Sequence, residues 1–241
     1  MRKYIVPILF ACICLSLISA ISHRSRPRVL IFSKTNGYHH ASIPAGIAAI
    51  KKLGTENGFD VDDTVDSTAF NKKNLKKYAA VIFLSPTGKV FGPGEETALK
   101  EFIEQGGGFV GIHSATDCEY NWSWYGELVG AYFKSHPKQQ QAKLMIVDKN
   151  NPSTEGLPDP WVRFDEWYNF RNLSQQTKIL LKIDESSYTG GENGDNHPMA
   201  WYHDYDGGRA FYTALGHTDE SFADSNYLHH ILGGIKYAIG R

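Results

Sequence analysis

One glycine-rich stretch, residues 106–117, constrains the fold of this chain more than any other. Three consecutive glycines lead into a short apolar run around Phe109 and Val110, as in a β-strand covered on both faces. His113 follows at the carboxyl end of that strand. In an open parallel α/β sheet this end faces the ligand crevice, so the stretch predicts a strand and a turn that presents His113. The alternative is a glycine-rich connection whose histidine only caps the next segment.

The residues before this stretch predict a parallel sheet with helices on both faces. Strands are predicted over 28–33, 59–64 and 80–84, and helices over 95–105 and from Pro44, which suits a first helical turn. This β-α-β-α order is typical of an α/β fold. Later predictions are a helix over 122–132, a loop over 133–137, strands over 142–147, 163–170 and 178–183, a hairpin over 200–214 and a closing helix over 227–239. No linker divides the chain, so one domain is expected.

Composition argues against one class of partner and favours another. The 241 residues include 25 basic and 26 acidic side chains, and no basic block follows the N-terminus, so a nucleic-acid surface is not expected. The chain has 13 Tyr, 13 Phe and 5 Trp, a rich aromatic supply of which much must lie in the core. Aromatic faces with polar neighbours stack well on sugar rings, which makes a small-molecule sugar a candidate ligand.

Residues 1–22 have the pattern of a secretory signal peptide. Arg2 and Lys3 form a positive start, an apolar run covers residues 5–18, and small residues near 20–22 offer a cleavage site. A retained membrane anchor is the alternative, but the run is shorter than the roughly 20 residues that a spanning helix needs. Cys12 lies too early for a lipoprotein site. Export to the periplasm or medium is therefore expected, with no membrane span after cleavage.

Cysteine usage limits both disulfide and thiol chemistry. Of the three cysteines, Cys12 and Cys14 lie in the targeting segment, so the mature chain holds only Cys118 and forms no internal disulfide. Its stability must then come from a core, which this length permits. Cys118 could be a nucleophile, but a buried structural thiol is the expected role.

Histidines and carboxylates follow several of the predicted strands. The residues worth counting are His39 and His40 after the first strand, His113 and Asp117 after the fourth, His217 and Asp219 after the last, and Glu166 at a strand end. Because loops after parallel strands converge at one sheet edge, these could share a crevice. Such groups suit a divalent metal or acid–base work. No strong local metal motif is present, so both alternatives stay open.

A set of ordered motifs resembles the trehalose-utilisation (ThuA-like) family. These are residues 37–44, 106–117, 133–137, 165–168, 197–203 and 207–217. The resemblance covers about residues 28–240 and implies the class I glutamine amidotransferase-like fold, a flavodoxin-like three-layer α/β sandwich with a mainly parallel central sheet. His113 then occupies the nucleophile position, where an amidotransferase has cysteine, and His217 falls near its catalytic histidine. Glutamine hydrolysis by a Cys-His pair is therefore not available.

The strand-end positions and the resemblance together indicate which residues form the site. His113, His217, Glu166 and Asp117 are expected to be catalytic, and a divalent metal such as zinc is possible with His113 and His217 as candidate ligands. The expected substrate-binding residues are His40, His136, Trp167, Tyr168 and Arg209. Each has a structural alternative; His136 before Pro137, for example, could simply shape its loop.

The implied function is carbohydrate metabolism, on trehalose, another disaccharide or a 3-keto-glycoside. The first hypothesis is an enzyme, a hydrolase, lyase or isomerase, with His113 and His217 as acid–base residues or metal ligands. The second is a non-catalytic carbohydrate-binding module on the same fold. Several histidines at strand ends favour the first hypothesis, and the lack of a recognised acid–base spacing keeps the second open.

Overall fold

The structure is a computed structural model, and it describes residues 26–241. The predicted targeting segment, residues 1–22, lies outside the described residues. Across 26–241 no helix combines the length and apolar character that crossing a bilayer requires.

Strands and α-helices alternate in the first part of the described chain, and a run of strands follows α4. The strands are β1 (Arg28–Phe32), β2 (Asp60–Thr64), β3 (Ala80–Leu84), β4 (Gly108–Ile112), β5 (Tyr132–Ser135), β6 (Gln140–Ile146), β7 (Trp161–Asp165), β8 (Asn169–Arg171), β9 (Lys178–Ile183), β10 (Pro198–Tyr205) and β11 (Gly208–Thr213). The helices are α1 (Ile43–Asn57), α2 (Lys72–Leu75), α3 (Pro93–Glu104), α4 (Ser123–Val129) and α5 (Ser225–Ala238). A short 3-10 helix, His113–Thr116, follows β4 directly.

A nine-stranded mixed sheet with a parallel core forms the centre of the molecule. Its strand order is β2-β1-β3-β4-β11-β10-β9-β6-β7. The five strands from β2 to β11 in this order are parallel to one another. β3 and β4 are buried at every residue, which explains their unbroken apolar sequences. The carboxyl ends of β1, β4 and β11 therefore meet along one edge of the sheet.

The far half of the sheet is antiparallel. β11 pairs with β10 as a hairpin, and β9, β6 and β7 continue the sheet with antiparallel pairings. β7 is thus an edge strand, and the chain leaves it at Glu166. A separate two-stranded sheet, β5 with β8, lies beside this half. The expected α/β class is confirmed, and the sheet is mixed because the chain after β5 returns through hairpins instead of crossover helices.

Local sequence signals explain the ends of helix α1. Pro44 occupies its first turn, where the missing N–H costs nothing. Gly58 follows the helix with φ 75°, a left-handed conformation that glycine adopts without strain. Ile50 and Leu53 lie on the buried face, as the apolar spacing predicts.

Two predicted elements were wrong in the same region. The helix expected over 122–132 ends at Val129, because Gly130 takes φ 92° and stops it. The loop expected over 133–137 is mostly strand β5, whose partner β8 is more than thirty residues away in sequence. Such a short strand is formed by its non-local partner and leaves little signal in its own sequence. The error matters because Phe133 and His136 border the site described next.

Candidate functional site

Four side chains meet at the carboxyl edge of the parallel strands. His40 comes from the loop after β1, His113 from the end of β4 and His217 from the loop after β11. Glu166 comes from the end of β7. Each of the four offers one ligand atom, and these atoms all lie within 4.8 Å of one another. We call this group of residues the histidine–glutamate cluster.

His113 sits on the sharp bend that the glycine-rich stretch predicts. Its φ is 52°, a left-handed value that is uncommon for a residue other than glycine. The side chain is fully buried, and Nδ1 lies 2.8 Å from the carbonyl oxygen of Ala214. A carbonyl oxygen can only accept, so Nδ1 carries a proton and Nε2 faces the cluster. Strain of this kind concentrates at functional sites.

Glu166 and His217 complete the inner contacts. Oε2 of Glu166 lies 3.1 Å from Nδ1 of His217 and 3.4 Å from Nε2 of His113. The two imidazole nitrogens are 3.2 Å apart. Burial opposes ionisation of Glu166, but the hydrogen bonds and charges of His113 and His217 outweigh it and hold the pKa of this carboxyl well below its usual range. The carboxylate is therefore ionised at neutral pH.

His40, and not its neighbour His39, joins the cluster. His40 is 3 % exposed, whereas His39 is exposed and lies beside Thr35. The His40 ring stands edge-on to His113 at a centroid distance of 4.7 Å, and Nδ1 lies 3.4 Å from Oγ of Ser114. Burial, followed by repulsion from His113 and His217, lowers the pKa of His40 to about 3. It is thus a neutral imidazole, the form that can bind a metal.

An open pocket lies over the cluster. Its volume is about 260 Å³, slightly below the roughly 300–1,000 Å³ usual for ligand sites, which suits one sugar ring. Tyr38, Phe133 and Tyr168 supply aromatic surface, and Tyr38 at the rim is 64 % exposed. The other lining residues are polar: His40, Asp117, His136, Gln139, Glu166 and His217.

The polar wall of the pocket contains two further titratable groups. Nδ1 of His136 lies 3.2 Å from Oε1 of Glu166, the oxygen that faces away from the inner histidines. Burial raises the pKa of Asp117, although the Tyr120 hydroxyl donates to its Oδ1 at 2.5 Å. Both groups can exchange protons with a ligand in the pocket.

The structure does not bring two of the expected substrate-binding residues to this pocket. Trp167 is fully buried, and its Nε1–H donates to the carbonyl of Gln140, so it presents no face to a ligand. Arg209 lies at the start of β11, at the opposite edge of the sheet. Its guanidinium donates to the carbonyls of Gly106 and Ala238, the latter at the end of α5. The structure therefore places Arg209 outside the pocket in which the sequence analysis expected it to bind substrate.

A larger cavity of about 320 Å³ lies beside Arg209 at that opposite edge. It is lined by Lys72, Phe102 and neighbouring residues, and none of the histidine–glutamate cluster reaches it. Size alone would favour it as a ligand site, but the convergent acid–base groups are all in the smaller pocket. We therefore place the candidate site over the cluster.

The hydroxyl and thiol groups near the cluster are poorly suited to nucleophilic attack. Cys118 is fully buried, and burial raises its pKa well above the usual value, so it stays a neutral thiol. Ser114 is fully buried too, although it contacts His40. The expected structural role of Cys118 agrees with this environment.

Sequence reasoning missed three residues that shape the site. Asp165 is fully buried, and its carboxylate accepts the backbone N–H groups of Gly216 and His217 at 3.1 Å each. Trp161, Arg163 and Asp165 alternate along β7 and therefore share one face of the strand. This spacing is the sequence signal that could have indicated a buried charged pair. Tyr38 and Gln139 lie in loops whose sequence gives no such signal.

All four residues of the cluster lie within the part of the sequence that matches a known protein family. The sequence matches the protein family described as trehalose utilisation, ThuA, over residues 28–238. The chain belongs to the ThuA family. A search of curated proteins found no match.

Solved structures share the ThuA fold with this chain. A ThuA-like protein from Bacteroides uniformis is 23% identical, with 88% of this chain and 91% of that chain covered and a TM-score of 0.74. A ThuA-like protein from Parabacteroides merdae is 21% identical, with 90% of each chain covered and a TM-score of 0.75. A GMP synthase protein from Thermoplasma acidophilum is 12% identical, with 90% and 96% covered and a TM-score of 0.54. The fold is therefore class I glutamine amidotransferase-like.

Proposed function

We propose that this protein is an enzyme that modifies a carbohydrate, a disaccharide or a 3-keto-glycoside, in the pocket over the histidine–glutamate cluster. One observation carries the proposal: the carboxylate of Glu166 lies between His113 and His217 on one side and His136 on the other, at the floor of an open pocket. Membership of a family described as trehalose utilisation supports a sugar as the ligand.

The shape of the pocket supports a sugar ring over a flat or charged ligand. Tyr38 and Phe133 offer aromatic surface, while Asp117, His136 and Gln139 offer hydrogen-bond partners for hydroxyl groups. A sugar ring has the same combination of apolar faces and polar edges. The volume of about 260 Å³ holds one ring, so the second ring of a disaccharide would extend past Tyr38 into solvent.

The groups present favour proton transfer over covalent catalysis. No cysteine stands at position 113, and the nearby Ser114 and Cys118 are fully buried. A 3-keto-sugar has an acidic C–H bond next to its carbonyl group. A base that removes this proton and an acid that protonates the oxygen are sufficient for elimination or isomerisation, and the histidines and carboxylates that line the pocket supply such groups. Hydrolysis needs, in addition, a water positioned by the same residues.

A turnover and binding screen separates this proposal from its alternative, a carbohydrate-binding module. Trehalose, other disaccharides and their 3-keto derivatives would be incubated with the protein, followed by NMR, and titrated by calorimetry. Product that no longer forms with Glu166→Gln, while sugar affinity is kept, supports an enzyme. Sugar binding without product from any compound would favour the binding module. A folded protein that neither binds nor converts a sugar would contradict both.

Export is a separate part of the proposal and rests on residues 1–22 alone. The positive start, apolar run and small residues predict cleavage near residue 22 and release into the periplasm or medium. Cell fractionation with determination of the mature N-terminus tests this. An intact N-terminal methionine on protein recovered from the cytoplasm would contradict it.

A further inference from the structure

In His113 and His217, one ring nitrogen has a partner outside the cluster. The other ring nitrogen, called the inner nitrogen, faces the centre of the cluster. Nδ1 of His113 donates to the Ala214 carbonyl at 2.8 Å. Nε2 of His217 lies 2.6 Å from the side-chain amide of Gln139. Histidines that bind metals typically have their second nitrogen held in this way, which fixes the tautomer and the ring direction.

The spacing of the inner atoms matches the spacing of ligands around a small cation. Zinc binds histidine nitrogen and carboxylate oxygen at about 2.0–2.2 Å, which puts neighbouring ligands of a tetrahedral site about 3.4 Å apart. The separations among Nε2 of His113, Nδ1 of His217 and Oε2 of Glu166 are 3.2, 3.4 and 3.1 Å. His40 provides the fourth atom, within 4.8 Å of the others.

A shared proton is the competing explanation for these short separations. If the Gln139 amide donates to Nε2 of His217, then Nδ1 carries a proton and donates to Glu166. If the amide oxygen accepts instead, both inner nitrogens are bare and face a carboxylate. A proton bridges two groups, whereas four potential ligand atoms converge here, and a single cation can bind all four.

From this geometry we infer that His40, His113, His217 and Glu166 bind a divalent transition metal ion, with zinc the best fit to three imidazoles and one carboxylate. The inference concerns the same site as the proposed function. It assigns the cluster to metal binding and leaves Asp117 and His136, which line the pocket outside the cluster, for proton transfer. An ion at this point would lie under the pocket floor, within reach of a sugar oxygen.

The test is zinc binding by the purified protein after metal has been removed with a chelator. Wild type would be compared with Glu166→Gln, His217→Ala and Gln139→Ala by competition calorimetry, with circular dichroism to check folding. The matched control is His39→Ala, which removes the exposed histidine next to His40 that lies beside Thr35 and outside the cluster.

The expected result is one zinc ion per chain. Glu166→Gln and His217→Ala should weaken binding by more than about 100-fold, while Gln139→Ala should weaken it by about 10–100-fold as an outer partner. His39→Ala should bind as wild type does. A stripped wild type that unfolds and refolds only with metal would also support the inference.

Two results would overturn it. One is a stripped, folded wild type that binds no zinc, cobalt or manganese at micromolar concentrations. The other is equal affinity in wild type and both ligand variants. Tight metal binding without turnover on any sugar would keep this inference and remove the enzyme proposal. Turnover that survives complete removal of metal would keep the enzyme and remove the metal.

Discussion

Asp165 fixes the position of His217: its Oδ1 accepts the backbone N–H of His217 at 3.1 Å, from a fully buried carboxylate. The next residue in the chain, Glu166, reaches the side chain of the same histidine. A single strand end thus holds both the backbone and the imidazole of His217. The loop after β11 is therefore positioned by the edge strand β7, across the full antiparallel half of the sheet.

The first prediction concerns the charge of Asp165. Its Oδ2 also binds the buried guanidinium of Arg163 at 2.9 Å. Asp165→Asn should lower the free energy of unfolding by about 3–5 kcal/mol, because it leaves a buried cation without its main partner. Chemical denaturation measures this.

Asp224→Asn is the matched control for that variant. Asp224 is the more exposed partner of the same Arg163, at 3.6 Å, and it caps helix α5. Asparagine caps helices equally well, so the loss should stay below about 1 kcal/mol. Equal losses in the two variants would show that Asp165 has no special role.

The second prediction concerns Gly108, the last of the three consecutive glycines and the first residue of β4. A Cβ on Gly108 would lie 2.2 Å from the carbonyl oxygen of Ala238, which is backbone and cannot easily move. Gly108→Ala should therefore destabilise the protein by about 1–3 kcal/mol or more. Gly94→Ala, in the first turn of α3 with no atom within 4 Å, should be neutral or slightly stabilising. Thermal melts compare the two, and a Gly108→Ala protein as stable as wild type would contradict the close packing of α5 on β4.

The third prediction is a pH dependence of stability from His230. This residue is fully buried in α5, and burial lowers its pKa from 6.5 to about 4. Between these two pKa values, His230 binds a proton in the unfolded chain but not in the folded chain. Stability from this group is complete above pH 6.5 and is lost as the pH falls towards 4, by about 1.4 kcal/mol per pH unit.

His230→Gln should remove that slope. The prediction concerns the change of stability with pH, not the absolute stability of the variant. The exposed neighbour on the same helix, His229→Gln, serves as control and should keep the wild-type slope. Urea denaturation at several pH values between 6.5 and 4 gives the comparison. Parallel pH profiles for wild type and His230→Gln would contradict the prediction.

The sequence predicted the parallel half of the fold well, because each of its strands carries its own signal. Ala80–Leu84 is uniformly apolar and is followed by the polar Ser85, and its predicted limits match β3. The turn after β4 was equally readable, since glycines precede it and His113 follows. Such local signals do not depend on which strand lies alongside.

The remainder of the fold depends on distant partners, which a single sequence does not show. β5 forms because Phe133 pairs with Phe170, and nothing near Phe133 indicates this. The inward direction of His40 follows from its packing on His113, whereas the sequence shows only two adjacent histidines. Gln139 reaches His217 across 78 positions of the chain.

The central claim is that the cluster performs chemistry on a sugar, and steady-state kinetics of two variants test it most directly. With the best substrate from the screen, Glu166→Gln should reduce kcat by at least about 100-fold. Tyr38→Ala, at the exposed rim, should raise KM and leave kcat nearly unchanged. A Glu166→Gln protein that keeps the wild-type kcat would contradict the account.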